Sequence, residues 1–378
     1  MLEERTMDKI TAAAMRRYNR KQIFNLIYRE RRISRQQIAE KLELSLPTVT
    51  QDLKSLRDAN LIEKNGFFQS TGGRKSVVYS CVSNARVTIG AQITKQEIRM
   101  VAVDLYGRII KRQKENIAYE HTEEYYRTFG TNINAFAKSL NISSKRILGV
   151  GIAMMALLSR DRQSVAKSVL LGRSTATLAD FAQWIDYPCQ LFHDSEAAAK
   201  AELWFSPQIS DAVYLGLNYH LNGMLIMNGK IHVGKEYTGG LIEHLTLFPD
   251  GRPCYCGKKG CFTTYCSGHL LFENQDQDAF FQRLRAEERD ASDTWREYLE
   301  HLAIAIGSLY AVLDCDIILG GTVATYMTEG DLLLLQQLVR KQSLYAPVSD
   351  FIRLGHSDID ICSCGAAIAY IADFLANL

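Results

Sequence analysis

The chain has 378 residues, of which 47% are hydrophobic and 23% are charged, as is ordinary for a globular protein with large cores. It contains no apolar window of about 18 residues that could form a membrane helix, and its charged start, MLEERTMDKI, does not resemble a signal peptide. We therefore expect a protein without a membrane span that works in a reducing cytoplasm. Clustered cysteines in that compartment bind metals more often than they form disulfides.

The net charge of +2 hides an uneven distribution. Residues 1–82 contain 16 Lys and Arg against 9 Asp and Glu, a net charge of +7, so the rest of the chain carries −5. A basic segment on an acidic body is typical of a segment that meets a polyanion, although chance surface charge would give the same figures.

Residues 1–82 predict a winged helix-turn-helix DNA-binding domain. Asn19 is expected to cap a first helix through KQIFNLIYRE, and Ser34 is expected to precede a second helix, RQQIAEKL. A short turn, ELS, then leads to a third helix. Two short helices joined by a tight turn form the arrangement that places the second of them in the major groove of DNA.

The third helix, LPTVTQDLKSLRDAN, is predicted to be the recognition helix. Ser45 is expected to cap it, and Pro47 lies near its start, where a missing N–H costs little. Apolar residues at helical spacing predict a buried stripe formed by Leu46, Val49, Leu53 and Leu56. The residues predicted to face DNA from this helix are Ser45, Thr48, Thr50, Gln51 and Lys54.

The wing is predicted in LIEKNGFFQSTGGRKSVVYSC, as two strands with a Gly-Gly turn between them. Gly73, Arg74 and Lys75 are its expected DNA-binding residues, because the glycines let a basic side chain approach a phosphate or the minor groove closely. The alternative for the whole segment is a small helical domain that contacts proteins.

Downstream of the wing, strands and helices alternate, which predicts an α/β body. This body contains the stretch HLTLFPDGRPCYCGKKGC, which starts at His244. A winged head followed by such a body and such a stretch resembles the ROK family (repressors, open reading frames and kinases). The resemblance extends over nearly the whole chain.

The resemblance implies a two-lobed body with the actin-like fold of sugar kinases, related to ribonuclease H. We expect residues 86–200 to form the first lobe, with helix 362–378 returning to it, and residues 201–361 to form the second lobe. It also implies a structural zinc site in the second lobe. The ligands implied for that zinc are His244, Cys254, Cys256 and Cys261.

The bare spacing H-x9-C-x-C-x4-C also suits tetrahedral zinc, although free buried cysteines are an alternative. Gly257 and Gly260 would let the backbone fold tightly around the ion. Cys266 has no counterpart in the family pattern and is expected to be an ordinary core residue. The CSC at Cys362 and Cys364 is interpreted in the same way.

The phosphate-binding loops of ROK kinases are poorly preserved here. The first, Asp-x-Gly-Gly-Thr in the family, has lost both glycines, and Glu97 adds a negative charge nearby. The second keeps one of its four glycines, whereas Gly320-Gly321, where the family contacts the nucleoside, persists. We therefore expect no phosphoryl transfer. The residues that align with the two loops are Gln92, Thr94, Lys95 and Gln96 in the first and Asn218, Tyr219, His220, Asn222 and Gly223 in the second.

The sugar pocket of the family is only partly preserved. Asp194 stands where a kinase has its general base, but a carboxylate there would equally bind a sugar hydroxyl or cap the following helix. Leu241 and Thr263 replace two glutamates that grip sugar hydroxyls, a loss for which Glu196 and Glu243 would partly compensate. The predicted effector-binding residues are His193, Asp194, Glu243 and His244, although His193, like His220, could instead be a local structural residue.

The leading hypothesis is a DNA-binding transcriptional regulator, acting as a repressor in carbohydrate metabolism, with a catalytically inactive kinase-like body. It would bind double-stranded operator DNA as a homodimer or dimer of dimers, in response to a sugar or sugar derivative. The alternative is an active ATP-dependent sugar kinase with a regulatory head and Asp194 as its base. A third hypothesis is a regulator that responds only to a protein partner or to zinc.

Overall fold

The computed structural model describes residues 12–69, 75–172, 174–272, 276–342, 350–356 and 358–378, which fall into two units. The first unit contains the residues up to Val87 together with segments 104–108 and 371–378. The second contains residues 88–103 and 109–370. The lobe boundaries expected from the sequence stay a prediction.

Three helices and a small sheet form the head. Its elements are α1 (Ala12–Glu30), β1 (Ile33–Ser34), α2 (Arg35–Lys41), α3 (Leu46–Asp58), β2 (Ile62–Phe67) and β3 (Val77–Cys81). The sheet order is β1-β3-β2, with antiparallel pairing throughout. This arrangement is the predicted winged helix-turn-helix, and its core is apolar. That core includes the fully or almost fully buried Ile23, Phe24, Ile27, Ile38, Val49, Leu53 and Leu56.

The beginnings of the head helices agree only in part with the sequence prediction. Ser34 caps α2 in a capping box with Gln37, and Ser45 caps α3 by accepting from the backbone N–H of Thr48. The prediction that Asn19 caps the first helix is wrong, because α1 starts at least seven residues earlier and Asn19 lies inside it. A polar residue with capping propensity is tolerated within a helix whose apolar face is buried.

Segment 104–108 belongs to the first unit because its aromatic turn packs on the end of α1. The hydroxyl of Tyr28 donates to the carbonyl of Leu105 at 2.7 Å, and the rings of Tyr28 and Tyr106 stack with centroids 4.5 Å apart. The guanidinium of Arg31 lies 3.3 Å from the centroid of Tyr106. A cation above an aromatic face and a stacked ring pair each stabilise such a contact.

The second unit contains two five-stranded sheets with the same plan. The first sheet has the order β10-β7-β4-β5-β6 and the second β13-β12-β11-β14-β15. If the five strands of each sheet are numbered in chain order, they lie in the order 3-2-1-4-5 across the sheet. An antiparallel hairpin lies on the side of strand 3, and strands 4 and 5 pair in parallel on the other side. This duplicated plan is the actin-like fold, so the predicted fold class is confirmed. The strands of the first sheet are β4 (Val87–Ile93), β5 (Ile98–Asp104), β6 (Ile109–Glu115), β7 (Ile147–Met154) and β10 (Cys189–His193), and those of the second are β11 (Ala212–Gly216), β12 (Asn222–Met227), β13 (Lys230–His232), β14 (Asp316–Gly320) and β15 (Ile352–Leu354).

Helices cover these sheets, and a small hairpin, β8 (Leu157–Leu158) with β9 (Val165–Lys167), follows β7. The helix α6 starts where β10 ends and packs against strands of both sheets. The C-terminal helix α13 crosses the first sheet so closely that its Ala366 leaves no space for a side chain at Gly151. The helices are α4 (Glu123–Lys138), α5 (Leu178–Ala182), α6 (Asp194–Phe205), α7 (Thr263–Cys266), α8 (His269–Phe272), α9 (Gln277–Arg285), α10 (Arg289–Leu313), α11 (Gly321–Ala324), α12 (Glu329–Gln342) and α13 (Ile361–Asn377).

None of the helices in the described ranges is both long and apolar enough to cross a bilayer.

Candidate DNA interface, metal centre and effector site

The predicted recognition helix, α3, presents a polar face at the surface of the head. Thr50, Gln51 and Lys54 are exposed, as is the capping residue Ser45, whereas Thr48 is half-buried. The hydroxyl of Ser45 lies 2.8 Å from that of Thr48, and the hydroxyl of Thr50 donates to the carbonyl of Leu46 at 2.7 Å. The hydroxyl side chains and the amide of Gln51 are suited to contact base edges, and Lys54 is suited to contact a phosphate.

Leu46 differs from its prediction, and part of the predicted wing lies outside the described residues. Leu46 was expected in the buried stripe, but its side chain is 42% exposed. The reason is its position: as the first residue of α3 it lies beyond the end of the stripe that α1 and α2 cover. In the wing, Lys75 is exposed, whereas Gly73 and Arg74 lie outside the described residues.

The four residues implied as zinc ligands come together. The ligand atoms of His244, Cys254, Cys256 and Cys261 all lie within 4.8 Å of one another. Nδ1 of His244 is 3.6 Å from Sγ of Cys254, and the Sγ atoms of Cys256 and Cys261 are 3.7 Å apart. A tetrahedron with ordinary Zn–N and Zn–S bonds has edges of roughly 3.6 Å for N···S and 3.8 Å for S···S. The donor set and its spacing therefore fit one zinc ion.

The backbone and charges around this cluster also suit a metal. Gly257 and Gly260 have φ angles of +92° and +73°, and a Cβ at Gly260 would lie 1.7 Å from the carbonyl oxygen of Phe248. Burial, and then the charge of Lys258, lowers the pKa of His244, which favours the neutral imidazole that binds metals. Cys266 lies apart from the cluster, with its buried thiol 3.9 Å from the carbonyl of Tyr298.

Asp194 is the centre of the predicted effector site, at the start of α6. Its side chain is buried, and both oxygens accept hydrogen bonds. Oδ1 accepts from the backbone N–H of Ser195 at 2.8 Å, and Oδ2 accepts from Nδ2 of Asn222 at 2.9 Å. His193, rather than Asp194, is the capping residue of α6, since its Nδ1 also accepts from Ser195. A neutral His193 then carries its proton on Nε2.

A cavity of about 110 Å³ lies between the two sheets beside Asp194. It is lined by His193, Asp194, Glu243 and His244, so the structure brings all four predicted effector residues together. Tyr255 and Cys256, from the loop 254–261 that carries the three clustered cysteines, line it too, so that loop forms one wall of the cavity. The His/Cys cluster therefore borders the cavity.

Glu243 is the most perturbed acid in this cavity. It is buried, and its Oε2 has no hydrogen-bond partner among the described residues. Burial, and then the nearby charge of Asp194, raises the pKa of Glu243 to about 8. A protonated carboxyl at this position would be a hydrogen-bond donor as well as an acceptor.

Comparison with known proteins identifies the family. Residues 88–367 match the profile of the ROK family, and residues 16–63 match that of winged helix-turn-helix DNA-binding domains. This chain belongs to the ROK family. A xylose repressor of Caldicellulosiruptor bescii is 22% identical over 357 residues, which span 88% of this chain and 90% of that protein. The DNA-binding transcriptional dual regulator NagC of Escherichia coli K12 is 22% identical over 260 residues, which span 68% of this chain and 64% of NagC.

Solved structures of ROK proteins resemble the chain in fold. A ROK family transcriptional regulator, homologous to the MLC protein of E. coli, superposes with a TM-score of 0.71 at 19% identity and covers 96% of this chain and 97% of its own. A ROK glucokinase of Streptomyces griseus, in complex with glucose and AMPPNP, has a TM-score of 0.62 at 21% identity, over 75% of this chain and 98% of its own. At these identities the likeness establishes the fold alone.

Residues 218–223, which the resemblance aligns with the second phosphate-binding loop of ROK kinases, carry side chains that contact their surroundings. Oδ1 of Asn218 accepts from the backbone N–H and the hydroxyl of Thr322, at 3.0 and 3.1 Å. It lies 2.7 Å from where a Cβ of Gly321 would be. His220, from the same loop, lines the cavity; burial lowers its pKa to about 4, so its ring is neutral.

Two acids that were expected near the phosphate and sugar sites, Glu97 and Glu196, both form ion pairs. Oε1 of Glu97 pairs with Arg99 at 2.5 Å, and Oε2 pairs with Lys114 at 3.2 Å. Glu196 pairs with Arg162 and with Lys200. The sequence prediction missed the pair with Arg162, because the two residues are 34 positions apart in the chain. Thr263, which the resemblance aligns with a sugar-binding glutamate, is buried, and its hydroxyl lies 2.8 Å from that of Ser267.

Proposed function

We propose that this ROK protein is a DNA-binding transcriptional regulator that acts as a repressor and responds to a small molecule in its cleft. The observation that carries the proposal is the exposed polar face of a properly capped recognition helix, α3, in a head whose sequence bears a net charge of +7. The relative from C. bescii, which this chain matches over 90% of its length, is named a xylose repressor, and NagC is named a DNA-binding regulator.

The effector is proposed to be a sugar or sugar derivative held in the cavity beside Asp194. Asp194 and Glu243 offer carboxyl groups, and His193 offers an N–H, which together suit a polyhydroxylated ligand. The side chain of His244 lines the same cavity. A ligand there changes DNA affinity only if it binds two arrangements of the protein with different affinities.

Zinc is proposed as a structural ion bound by His244, Cys254, Cys256 and Cys261. When bound, it would cross-link the loop that forms one wall of the cavity and so fix the shape of the wall. The four side chains leave no open ligand position in a tetrahedral site, which is the arrangement of structural rather than catalytic zinc.

Catalysis is not proposed. Asp194 already accepts hydrogen bonds on both oxygens, and Asn218 fills the place beside Gly321 where the family contacts the nucleoside. The competing candidate is an ATP-dependent sugar kinase with Asp194 as base, which the retained carboxylate favours. It predicts sugar-dependent release of ADP that is abolished by Asp194→Asn. Absence of ATP binding in calorimetry would eliminate it.

The working form is proposed to be a cytoplasmic homodimer or dimer of dimers, because two recognition helices on one face match a two-fold operator. Its half-sites would then lie about one turn of DNA, or a multiple of it, apart. Sedimentation of the full chain with and without a two-half-site duplex tests this directly.

DNA binding tests the proposed function. An operator would be selected from random duplex DNA with the full chain, and affinity would be measured by fluorescence anisotropy at several salt concentrations. We expect affinity to fall steeply with salt, and Lys54→Ala to weaken binding and reduce the salt slope by about 1. Lys138→Ala, at the end of α4, is the charge-matched control and should bind as the unmodified protein does. Failure to select any duplex would refute the proposal.

A further inference from the structure

A second, smaller cavity adjoins the one beside Asp194. It has a volume of about 30 Å³, and it shares Leu157, His193 and Leu241 with the larger cavity. The β8–β9 hairpin forms one side of it, and the segment after β13 forms another. A ligand placed against His193 can therefore reach both cavities.

Arg162, in the β8–β9 hairpin, lines this smaller cavity with an unused donor. Its Nη2 pairs with Oε1 of Glu196 at 2.8 Å, whereas its Nη1 is buried without a hydrogen-bond partner among the described residues. A guanidinium offers five N–H donors in a planar fork that matches a carboxylate or a phosphate. A buried donor of this kind is costly unless something accepts from it.

The charges around Arg162 do not balance. Glu196 is the carboxylate shared by Arg162 and Lys200, whose Nζ lies 2.9 Å from the same Oε1 atom. Both cations also lie near the ring of Phe192, at 5.7 and 4.5 Å from its centroid. This group of three charged side chains, which we call the Arg162 cluster, therefore carries one positive charge in excess.

Unused polar atoms also face the larger cavity. Nδ1 of His220, Oδ1 of Asn222 and Oε2 of Glu243 are buried without partners among the described residues, and all three residues line that cavity. These groups suit hydroxyls, which both donate and accept. The two adjoining cavities thus differ in character, since one offers mixed donors and acceptors and the other a cation.

We propose that the cleft binds a sugar that carries an anionic group, a carboxylate or a phosphate ester, with that group on Arg162 and its hydroxyls toward Glu243 and Asn222. This rests on the proposed function, whose effector it specifies. Arg162 is thereby a specificity-determining residue that separates charged sugars from their neutral counterparts. The carboxylate and the phosphate ester share the chemistry of a bidentate acceptor for a guanidinium.

Matched pairs of probes test the proposal with the full chain. Glucose would be compared with glucuronate and glucose 6-phosphate, xylose with xylonate, and N-acetylglucosamine with its 6-phosphate, by thermal shift and then by calorimetry. Inorganic phosphate and acetate at equal ionic strength serve as controls for nonspecific effects. We expect one anionic member to raise the melting temperature where its neutral counterpart does not. Whether that member is an acid or a phosphate distinguishes the two sources.

Variants at position 162 complete the test. Arg162→Gln should weaken binding of the anionic probe on the order of 10- to 100-fold, since it removes a charge-assisted pair of hydrogen bonds. Arg162→Lys should recover part of the loss, because it keeps the charge. Arg127→Gln, at an exposed arginine on α4, is the matched control and should change nothing. The melting temperature without ligand reports whether each variant is folded.

The proposal is overturned if neutral and anionic members of each pair bind equally, or if Arg162→Gln binds the anionic probe as tightly as the unmodified chain does. It is also overturned if none of the anionic sugars binds while the same preparation still binds its selected DNA. That last result would contradict the anionic effector but not the proposed DNA-binding regulator. A preparation that is folded but binds no DNA would contradict the proposed function itself.

Discussion

Asn222 and Asp194 join the two sheets of the body across the cleft: Nδ2 of Asn222, the first residue of β12, donates to Oδ2 of Asp194 at 2.9 Å. Both side chains are buried. The carboxylate that the family resemblance aligns with the general base of a kinase is thereby held by the side-chain amide of Asn222. Position 222 thus orients Asp194 and connects the sheets.

Asn222→Ala should lower the free energy of unfolding by about 1–3 kcal/mol, because it removes one donor from a buried carboxylate. Asn222→Asp should cost more at neutral pH, since it places two carboxylates side by side, and the difference should shrink as the pH falls. Urea denaturation measures both. Asn377→Ala, at an exposed amide, should change the value by less than about 0.5 kcal/mol. Equal stability of Asn222→Ala and the unmodified chain would contradict the role given to this bond.

The loop 254–261, which carries three of the proposed zinc ligands, gives a second prediction. Cys256→Ser should reduce the zinc content from about one ion per chain to well below it, and should lower the melting temperature, since a structural zinc contributes folding free energy. Cys266→Ser is the control, because Cys266 lies outside the cluster and should leave the zinc content unchanged. Elemental analysis of protein purified without added metal decides the matter. Full zinc occupancy in Cys256→Ser would exclude that residue as a ligand.

Asp331, at the start of α12, predicts a pH dependence of stability. It is buried, and it accepts from Nε1 of Trp295 at 2.8 Å and pairs with Arg285 at 2.6 Å. Burial alone would raise the pKa of Asp331, but Arg285, followed by Thr328 and Trp295, outweighs it, so the folded pKa is lowered. Its contribution is therefore present above the unfolded pKa of about 3.9 and is lost as the pH falls through the folded pKa.

Asp331→Asn should accordingly cost about 1.5–3 kcal/mol at pH 7, and the difference from the unmodified chain should narrow in acid. Asp350→Asn removes an exposed partner of Arg340 and should cost at most about 1 kcal/mol. Urea titrations of the three proteins between pH 7 and pH 3 provide the comparison. A cost for Asp331→Asn that stays constant over this range would show that the ionised carboxylate is not responsible.

Leu46 leads to a prediction that the sequence pattern alone would not make. An exposed leucine at the start of a recognition helix is placed to contact a thymine methyl group. Leu46→Ala should weaken binding to the selected operator by about 3- to 10-fold, since partial burial of leucine is worth about 1 kcal/mol, and should leave stability almost unchanged. Leu53→Ala, in the buried stripe, should instead cost about 2–5 kcal/mol of stability. Unchanged operator affinity for Leu46→Ala would argue against this contact.

The difference between Leu46 and Leu53 shows what the sequence could and could not predict. Helical spacing marks both as apolar positions, but only packing decides that the first residue of α3 projects past the covering helices. Local signals, such as the caps at Ser34 and Ser45, depend on residues three positions apart and were predictable. The pairing of Arg162 with Glu196 depends on the tertiary arrangement and was not.

The His/Cys cluster is an intermediate case. Its four residues lie within eighteen positions of the chain, so their spacing and the family resemblance predicted that they come together. The fact that Cys256 and Tyr255 line the same cavity as Asp194 and Asn222 depends on the tertiary arrangement, which no local pattern encodes. The fold class and the clustering of these four side chains were therefore predictable, whereas the lining of the cavity needed coordinates.

The two hydrogen bonds from Thr322 to Asn218 limit how this chain could evolve. They tie the loop between β11 and β12 to the segment after β14, so the side chain of Asn218, which lies beside Gly321, also supports the fold. Replacing Asn218 by glycine would open the space but would lose both bonds and add backbone freedom. We therefore expect substitutions that open the space beside Gly321 to pass through less stable intermediates, which natural selection acting on single substitutions would disfavour.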